Sequence, residues 1–169
     1  MKQDNKTHTL VLSGVMAAVV MLLTLISIPL PSGSGYVHLG DAAVLLCAAL
    51  LPLGYAAAAA GVGAALADII LGFSLYAPAS LVIKGLMALC CFLMLKLFRG
   101  KLSLFAYLVS AALVPLGYLL YETILNLGAA ALANIPLNAL QGAVGAIIAF
   151  AVGMMLSRNG GKKQGGTGE

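Results

Sequence analysis

Charged residues are scarce in this chain of 169 residues, which has 9 Lys and Arg, 5 Asp and Glu, and no tryptophan. Charged residues make up 8% of the sequence and hydrophobic residues 62%, and the mean hydropathy is +1.08. A soluble domain carries about 25% charged residues, so this chain has too few to cover a surface that faces water. Composition therefore excludes an ordinary soluble domain and predicts that lipid is the main solvent.

Motifs for catalysis and metal binding are also missing. The cysteines, Cys47, Cys90 and Cys91, lie in apolar segments with no CxxC or Cys/His spacing, so we expect small buried hydrophobes rather than disulfides or metal ligands. No Walker A, HExxH or GxSxG pattern occurs, so the chain has no P-loop chemistry of its own. We expect no metal, no cofactor and no enzymatic activity.

Proline, glycine and charged residues divide the apolar sequence into six predicted helices. Each span needs roughly 20 apolar residues, and the second helix falls short unless residues 36–39 join it. Pro115 is expected to kink the fifth helix. The apolar run over residues 10–30 exceeds the core of a signal peptide, about 7–15 residues, so we expect it to be retained. The predicted helices cover residues 7–28, 41–51, 55–71, 78–98, 102–127 and 136–157.

The fold predicted from these segments is an all-α membrane protein, a compact bundle of six transmembrane helices. It forms one domain, residues 1–157, followed by a disordered basic, Gly-rich tail over 158–169.

The positive charges predict the topology. Apart from Lys84, every Lys and Arg lies in the N-terminal tail, near the loop between helices 4 and 5, or in the C-terminal tail. Positive charge is retained on the cytoplasmic side, so we expect a multi-pass protein of the cytoplasmic membrane with both termini cytoplasmic. This placement gives no sign of nucleic-acid binding. The residues concerned are Lys2, Lys6, Lys96, Arg99, Lys101, Arg158, Lys162 and Lys163.

Four charges fall within or near the predicted spans, all in the outer half: Asp41, Asp68, Lys84 and Glu122. A charge at the bilayer centre costs about 3 kcal/mol on insertion scales, so such residues usually face a cavity or a partner.

Uncharged polar residues follow the same trend: Tyr118, Glu122 and Asn126 have the spacing of one helical face. Aromatic rings with a few placed polar groups are typical of a small-molecule pocket. The predicted binding residues are Tyr36, His38, Asp41, Asp68, Tyr76, Ser80, Lys84, Tyr118, Glu122, Asn126, Asn138 and Gln141.

Simpler roles remain open for most of these residues. Asp41 can be the N-cap of helix 2, and Asp68 and Lys84 can form a structural ion pair. The tyrosines can belong to an interfacial belt, and His38 can be a solvated loop residue. Glu122 has no partner nearby in sequence, which favours a functional role.

Small residues form stripes on three predicted helices. Those on helices 3 and 6 favour close packing within the bundle. On helix 1, the pairs Ser13/Ala17 and Gly14/Ala18 can equally dock a partner membrane protein.

The residues 35–42, Gly-Tyr-Val-His-Leu-Gly-Asp-Ala, together with Ala67-Asp68, Gly72, Tyr76-Ala77-Pro78 and Ile83-Lys84-Gly85, resemble the S components of energy-coupling factor (ECF) transporters. The branch is the riboflavin type, which also takes in proteins assigned to vitamin B6 and hydroxymethylpyrimidine. The resemblance covers all six helices and is most specific over residues 36–85. It implies a vitamin bound near the outer side under the loop between helices 1 and 2.

The resemblance also implies partners, namely a transmembrane T subunit and two ATPase subunits. In the family, helix 1 docks the T subunit through an Ala-x-x-x-Ala type motif; the matching pairs here, Ser13/Ala17 and Gly14/Ala18, depart from it at the first position. A pocket of mixed charge favours a pyridoxine-like or hydroxymethylpyrimidine-like ligand, with riboflavin close behind. The competing hypotheses are a self-sufficient secondary carrier and an intramembrane enzyme.

Overall fold

A computed structural model gives the fold and describes residues 2–29, 36–98 and 103–162. Within these residues the chain forms seven helical elements and one two-stranded antiparallel ribbon. The ribbon pairs β1 with β2 in the register Ser27 to His38 and Pro29 to Tyr36. The elements are α1 Lys2–Leu25, β1 Ser27–Pro29, β2 Tyr36–His38, α2 Gly40–Leu50, α3 Leu53–Ile70, α4 Ala77–Leu97, α5 Ser103–Ala111, α6 Leu113–Ile124 and α7 Ala129–Lys162.

Five segments of the described chain are long and apolar enough to cross a membrane: Asn5–Leu25, Leu53–Ile70, Ala77–Leu97, Ser103–Ile124 and Ala131–Leu156. The fourth of these joins α5 and α6. The predicted all-α membrane fold is confirmed to that extent. The sixth helix, α2, has 11 residues and is about 16 Å long, roughly half of the hydrocarbon thickness. Tyr36–His38 form a strand, so they do not lengthen it as a helix.

The short helix α2 lies inside the bundle, where α1, α3, α4 and α7 pack around it. Its residues 40–45 are all buried, as are Cys47 and Ala48. A helix surrounded by other helices needs no lipid-facing surface, so its length is not set by the bilayer thickness. The longer helices present their apolar side chains outward instead, for example Leu22 of α1 and Val82 of α4.

Glycine and alanine permit close approach between these helices. A Cβ atom on Gly61 of α3 would lie 2.5 Å from the Leu81 carbonyl oxygen of α4, and one on Gly63 would lie 2.4 Å from the Ala17 carbonyl oxygen of α1. A Cβ on Gly145 of α7 would lie 2.9 Å from the Cβ of Asp41. The interpretation of the stripes on helices 3 and 6 as packing surfaces is therefore supported.

The kink predicted at Pro115 in the fifth helix is present as an interruption just before that residue, and the predicted start of the last helix at Pro136 is wrong. The fifth predicted helix is interrupted at Ala112, and Pro115 lies in the first turn of α6, where its missing N–H has no intrahelical acceptor to lose. The last helix begins at Ala129, seven residues early, with Pro136 inside it. It continues to Lys162, and residues 163–169 lie outside the described part, so the disordered tail stays a prediction.

Candidate functional site

Polar side chains gather at one end of the bundle, where α3 ends and α4 begins; we call this the site end. They come from β2, α2, α3, α4, α6 and α7, and most are almost completely buried. Tyr36 and Tyr118 are half-buried. The buried members are His38, Asp41, Asp68, Tyr76, Ser80, Lys84, Glu122, Asn134, Asn138 and Gln141.

Asp41, Lys84 and Gln141 form a closed polar contact between α2, α4 and α7. The Lys84 Nζ lies 2.5 Å from Asp41 Oδ1, and Gln141 Nε2 donates to Asp41 Oδ2 at 2.8 Å. The exposed fraction is 1% for Lys84 and 0% for Asp41. Both carboxylate oxygens of Asp41 therefore have partners, and its charge is compensated where water is excluded.

Two of the simpler roles for these residues are wrong. Asp41 lies inside the first turn of α2, and the residue that precedes the helix, Leu39, makes no side-chain cap. Lys84 forms its ion pair with Asp41 and not with Asp68. The pairing joins residues 43 positions apart on two helices, which no local spacing rule predicts.

His38 fastens β2 to this contact. Its backbone N–H donates to Gln141 Oε1 at 3.0 Å, and its Nδ1 accepts from the Gly40 backbone N–H at 2.9 Å. Burial lowers the pKa of His38 from 6.5 to about 4; the Asp41 carboxylate opposes this shift and the Lys84 ammonium adds to it. The imidazole is therefore neutral near pH 7, and the alternative of a solvated loop histidine is wrong.

Asp68, at the end of α3, is bound on one side only. Its Oδ1 accepts a hydrogen bond from the Tyr36 hydroxyl of β2. Burial and this bond to Asp68 raise the pKa of Tyr36 above its ordinary range, so the hydroxyl keeps its proton and donates. Asp68 Oδ2 is buried and has no partner within hydrogen-bond distance among the described residues, although the Ser80 hydroxyl also interacts with the Asp68 carboxyl group.

Glu122 of α6 repeats this arrangement. Its Oε1 accepts from Asn134 Nδ2 at 2.9 Å and from the Tyr76 hydroxyl at 3.3 Å. Its Oε2 is buried and has no hydrogen-bond partner among the described residues. The residue is 2% exposed, and native proteins rarely leave a buried acceptor without a donor.

Aromatic rings connect the two carboxyl groups. The Tyr36 and Phe73 ring centroids are 5.1 Å apart, those of Phe73 and Tyr76 are 6.3 Å apart, and those of Tyr76 and Tyr118 are 6.3 Å apart. The Tyr118 hydroxyl lies 2.6 Å from Ser80 Oγ, and its ring centroid is 5.5 Å from Lys84 Nζ. These tyrosines are therefore part of the polar cluster and not separate members of an interfacial belt.

Asn134, Phe73 and Tyr121 belong to the cluster but are not among the predicted binding residues, and one predicted residue lies elsewhere. Because α7 begins before Pro136, Asn134, Asn138 and Gln141 share one face of it. Tyr121 donates to the Leu75 carbonyl oxygen and contacts Tyr76, with ring centroids 5.7 Å apart. Asn126 does not share the face of Glu122, because α6 ends at Ile124; Asn126 has φ 59° and is exposed.

The docking residues predicted on α1 separate into two faces. Ser13 is buried, and Ala17 packs against Gly63 of α3. Gly14 and Ala18 are exposed, and a Cβ on Gly14 would meet nothing within 4 Å. Only the Gly14/Ala18 face is open to a partner.

A cavity of about 470 Å³ lies at the opposite end of the bundle, between α2, α4, α5 and α7. Its lining is mostly apolar and contains no charged residue; Leu46, Tyr107 and Phe150 contribute to it. The cavity is large enough for a small molecule, but it lacks the placed polar groups that give a site its specificity. The buried polar cluster at the site end is therefore the candidate site.

Comparison with known proteins identifies the family of the chain. A family profile described as ECF-type riboflavin transporter, S component, matches residues 4–158. An uncharacterized protein in gap 3′ region from Pyrococcus woesei is 43% identical over 68 residues, which are 40% of this chain and 45% of that protein. The match thus spans under half of the length of that curated relative. With its apolar spanning helices and a family match over nearly its whole length, the chain is a multi-pass membrane protein and belongs to the S components of ECF-type riboflavin transporters.

Proposed function

We propose that this chain is the substrate-capture subunit of an ECF-type importer in the cytoplasmic membrane. It binds a small vitamin or vitamin precursor, pyridoxine-like, hydroxymethylpyrimidine-like or riboflavin, at the site end. The chain crosses the membrane six times with both termini in the cytoplasm, α2 being the short central pass. It works with a T subunit and two ATPase subunits, and it is not itself an enzyme.

The observation that carries this proposal is the polar cluster itself. Six separate elements each contribute a buried polar side chain to one end of a bundle whose outer surface is apolar. Isolated buried charges are strongly unfavourable next to lipid, so a sequence retains them where they meet each other or a ligand. The aromatic rings beside them supply flat surfaces against which a heterocycle can stack.

The charge pattern supports an outward-facing site. Lys6 lies in the first turns of α1 and Lys96 at the end of α4, and both are at the end of the bundle opposite the site. Lysine and arginine accumulate on the cytoplasmic side, so the site end faces outward. The ribbon β1–β2 lies at this end, where Tyr36 bonds Asp68 and His38 bonds Gln141. The predicted lid, residues 29–40, includes residues 30–35, which lie outside the described part of the chain. ATP hydrolysis in the partner subunits then drives reorientation and inward release.

The ligand can be identified directly. The chain is purified in detergent and denatured, and the released small molecule is analysed by mass spectrometry and absorbance. We expect a stoichiometric vitamin: a flavin absorbs in the visible range, whereas a pyridoxine-like molecule absorbs only in the near ultraviolet. Absence of any released vitamin, together with no binding of added vitamins in calorimetry, would contradict the proposal.

Transport separates this proposal from a secondary carrier. In vesicles, the chain alone should bind the vitamin without net uptake, and uptake should require the T subunit, both ATPase subunits and ATP. Uptake by the chain alone under an ion gradient would show a self-sufficient carrier. Conversion of the vitamin by the purified chain would show an enzyme.

The exposed face of α1 tests the partnership. Gly14→Leu adds bulk where nothing lies within 4 Å, so the bundle should stay folded while copurification with the T subunit falls. Ala58→Leu, at an exposed small residue of α3, is the matched control and should copurify normally. Normal copurification of Gly14→Leu would show that the T subunit binds another face.

A further inference from the structure

The charges of the candidate site do not balance. Within the described part of the cluster, the buried ionisable residues are Asp41, Asp68, Glu122, Lys84 and His38. Lys84 is in contact with Asp41, and His38 is neutral near pH 7 because burial lowers its pKa to about 4. Asp68 and Glu122 therefore have no basic side chain in contact in the described structure, and the cluster contains more acidic than basic residues.

The same two residues have the only buried side-chain oxygens that lack a donor in the described structure, Asp68 Oδ2 and Glu122 Oε2. In each residue the other oxygen is held by neutral donors: the Tyr36 hydroxyl for Asp68, and the Tyr76 hydroxyl and Asn134 amide for Glu122. Such bonds fix the orientation of a carboxyl group and leave one acceptor for an external donor. Native interiors rarely leave a buried acceptor unused, so two in one site call for a ligand.

The aromatic rings indicate where the two free acceptors, Asp68 Oδ2 and Glu122 Oε2, lie relative to each other. Tyr36, which binds Asp68, contacts Phe73 at 5.1 Å between centroids, and Phe73 contacts Tyr76, which binds Glu122. Asp68 and Glu122 thus lie at the two ends of a row of rings. A flat ligand that lies along this row presents one edge to each carboxyl group.

We propose that the ligand is a neutral or cationic heteroaromatic molecule with hydrogen-bond donors at two edges, received by Asp68 and Glu122, and that the site rejects ligands bearing phosphate or carboxylate. This inference rests on the proposed function and names the ligand chemistry of the same site. Lys84 does not attract an anion, because Asp41 already neutralises it at 2.5 Å. An anionic substituent would meet two carboxyl groups in a medium that screens charge weakly.

The test compares each vitamin with its own phosphate ester. The purified full-length chain is titrated by calorimetry with riboflavin, pyridoxine, thiamine and hydroxymethylpyrimidine, and then with the corresponding monophosphates. We expect at least one vitamin to bind, and its phosphate ester to bind roughly a hundredfold more weakly, since a like charge in an interface costs several kcal/mol. Binding of none of the eight compounds would refute the proposed function, and the inference with it.

Variants then assign the effect to the two carboxyl groups. Asp68→Asn and Glu122→Gln keep the side-chain shape but place an amide donor where the free acceptor was. Each single variant should weaken binding of the vitamin roughly tenfold, as expected for the loss of a hydrogen bond to a charged group. In the double variant, the affinities for the vitamin and for its phosphate ester should differ less than in the wild type. Thr123→Val, at the neighbouring exposed residue of α6, is the matched control and should bind normally.

Two results would overturn the inference and leave the proposed function intact. One is a phosphate ester that binds as tightly as its vitamin. The other is wild-type affinity for the vitamin in both Asp68→Asn and Glu122→Gln. An amide N–H donates a hydrogen bond as a protonated carboxyl group does, so this result would mean that the two carboxyl groups donate to the ligand instead of accepting from it.

Discussion

Two groups of polar residues in the site contain similarly buried carboxyl groups that are bonded differently. The paired network consists of Asp41, Lys84, Gln141 and His38, and in it both oxygens of the carboxylate are occupied. The open carboxyl groups are Asp68 and Glu122, each with one unbonded oxygen. From this difference we infer a division of roles that rests on the proposed function: the paired network holds the helices together, and the open carboxyl groups receive the ligand.

Position within the fold explains this division. The paired network joins α2, α4, α7 and β2, so it fixes the short central helix against its neighbours. The open carboxyl groups lie on α3 and α6, and their bonds reach the ribbon and the aromatic row. Removing one partner from the paired network should therefore destabilise the protein. Removing the charge of an open carboxyl group should leave the stability nearly unchanged.

The largest effect is expected for Lys84→Met, which leaves Asp41 buried without a cation. Breaking a buried pair from one side costs about 3–5 kcal/mol, so the thermal midpoint in detergent should fall sharply. The double variant Asp41→Asn/Lys84→Met should recover much of that loss, because no buried charge remains. Lys96→Met, at an exposed lysine at the opposite end, serves as the control. An unchanged midpoint in Lys84→Met would remove the structural role of the paired network.

A smaller effect is expected from the pH dependence of the paired network. As the pH falls, the unfolded chain protonates His38 near pH 6.5, whereas the folded protein does so only near pH 4. The contribution of neutral His38 to stability is therefore complete above about pH 6.5 and is lost as the pH falls toward 4. Between pH 6.5 and 5 the free energy of unfolding should decrease by about 2 kcal/mol from this group.

The variant His38→Asn isolates that contribution. Its amide oxygen can accept from the Gly40 N–H in place of Nδ1, but it does not titrate. Denaturation curves at several pH values should show a shallower slope between pH 6.5 and 5 in the variant than in the wild type. Equal slopes would mean that His38 is protonated in the folded protein at the same pH as in the unfolded chain.

The sequence predicts the membrane-spanning helices better than it predicts which polar side chains contact each other. Long apolar runs bounded by proline and glycine predict helices because burial in lipid requires both length and apolarity. The Asp41–Lys84 pair depends on how α2 packs against α4, and sequence spacing does not encode that. Helical periodicity fails at Asn126 because α6 ends at Ile124, before that residue. It does not place Asn134 on the helix because proline usually marks a helix start, whereas α7 begins at Ala129 and contains Pro136.

The smallest change in stability, and the sharpest contrast with Lys84→Met, is expected for the open carboxyl groups. Glu122→Gln keeps an acceptor for Asn134 and Tyr76 and replaces a buried oxygen that has no described donor. The ligand-free variant should therefore be as stable as the wild type or more stable, by up to about 1 kcal/mol, and Asp68→Asn should behave alike. Denaturation of the ligand-free protein measures this stability.

A loss of stability comparable to that of Lys84→Met would show that both oxygens of Glu122 are hydrogen-bonded, as those of Asp41 are. The two groups would then not differ, and the open carboxyl groups would have no acceptor to offer a ligand.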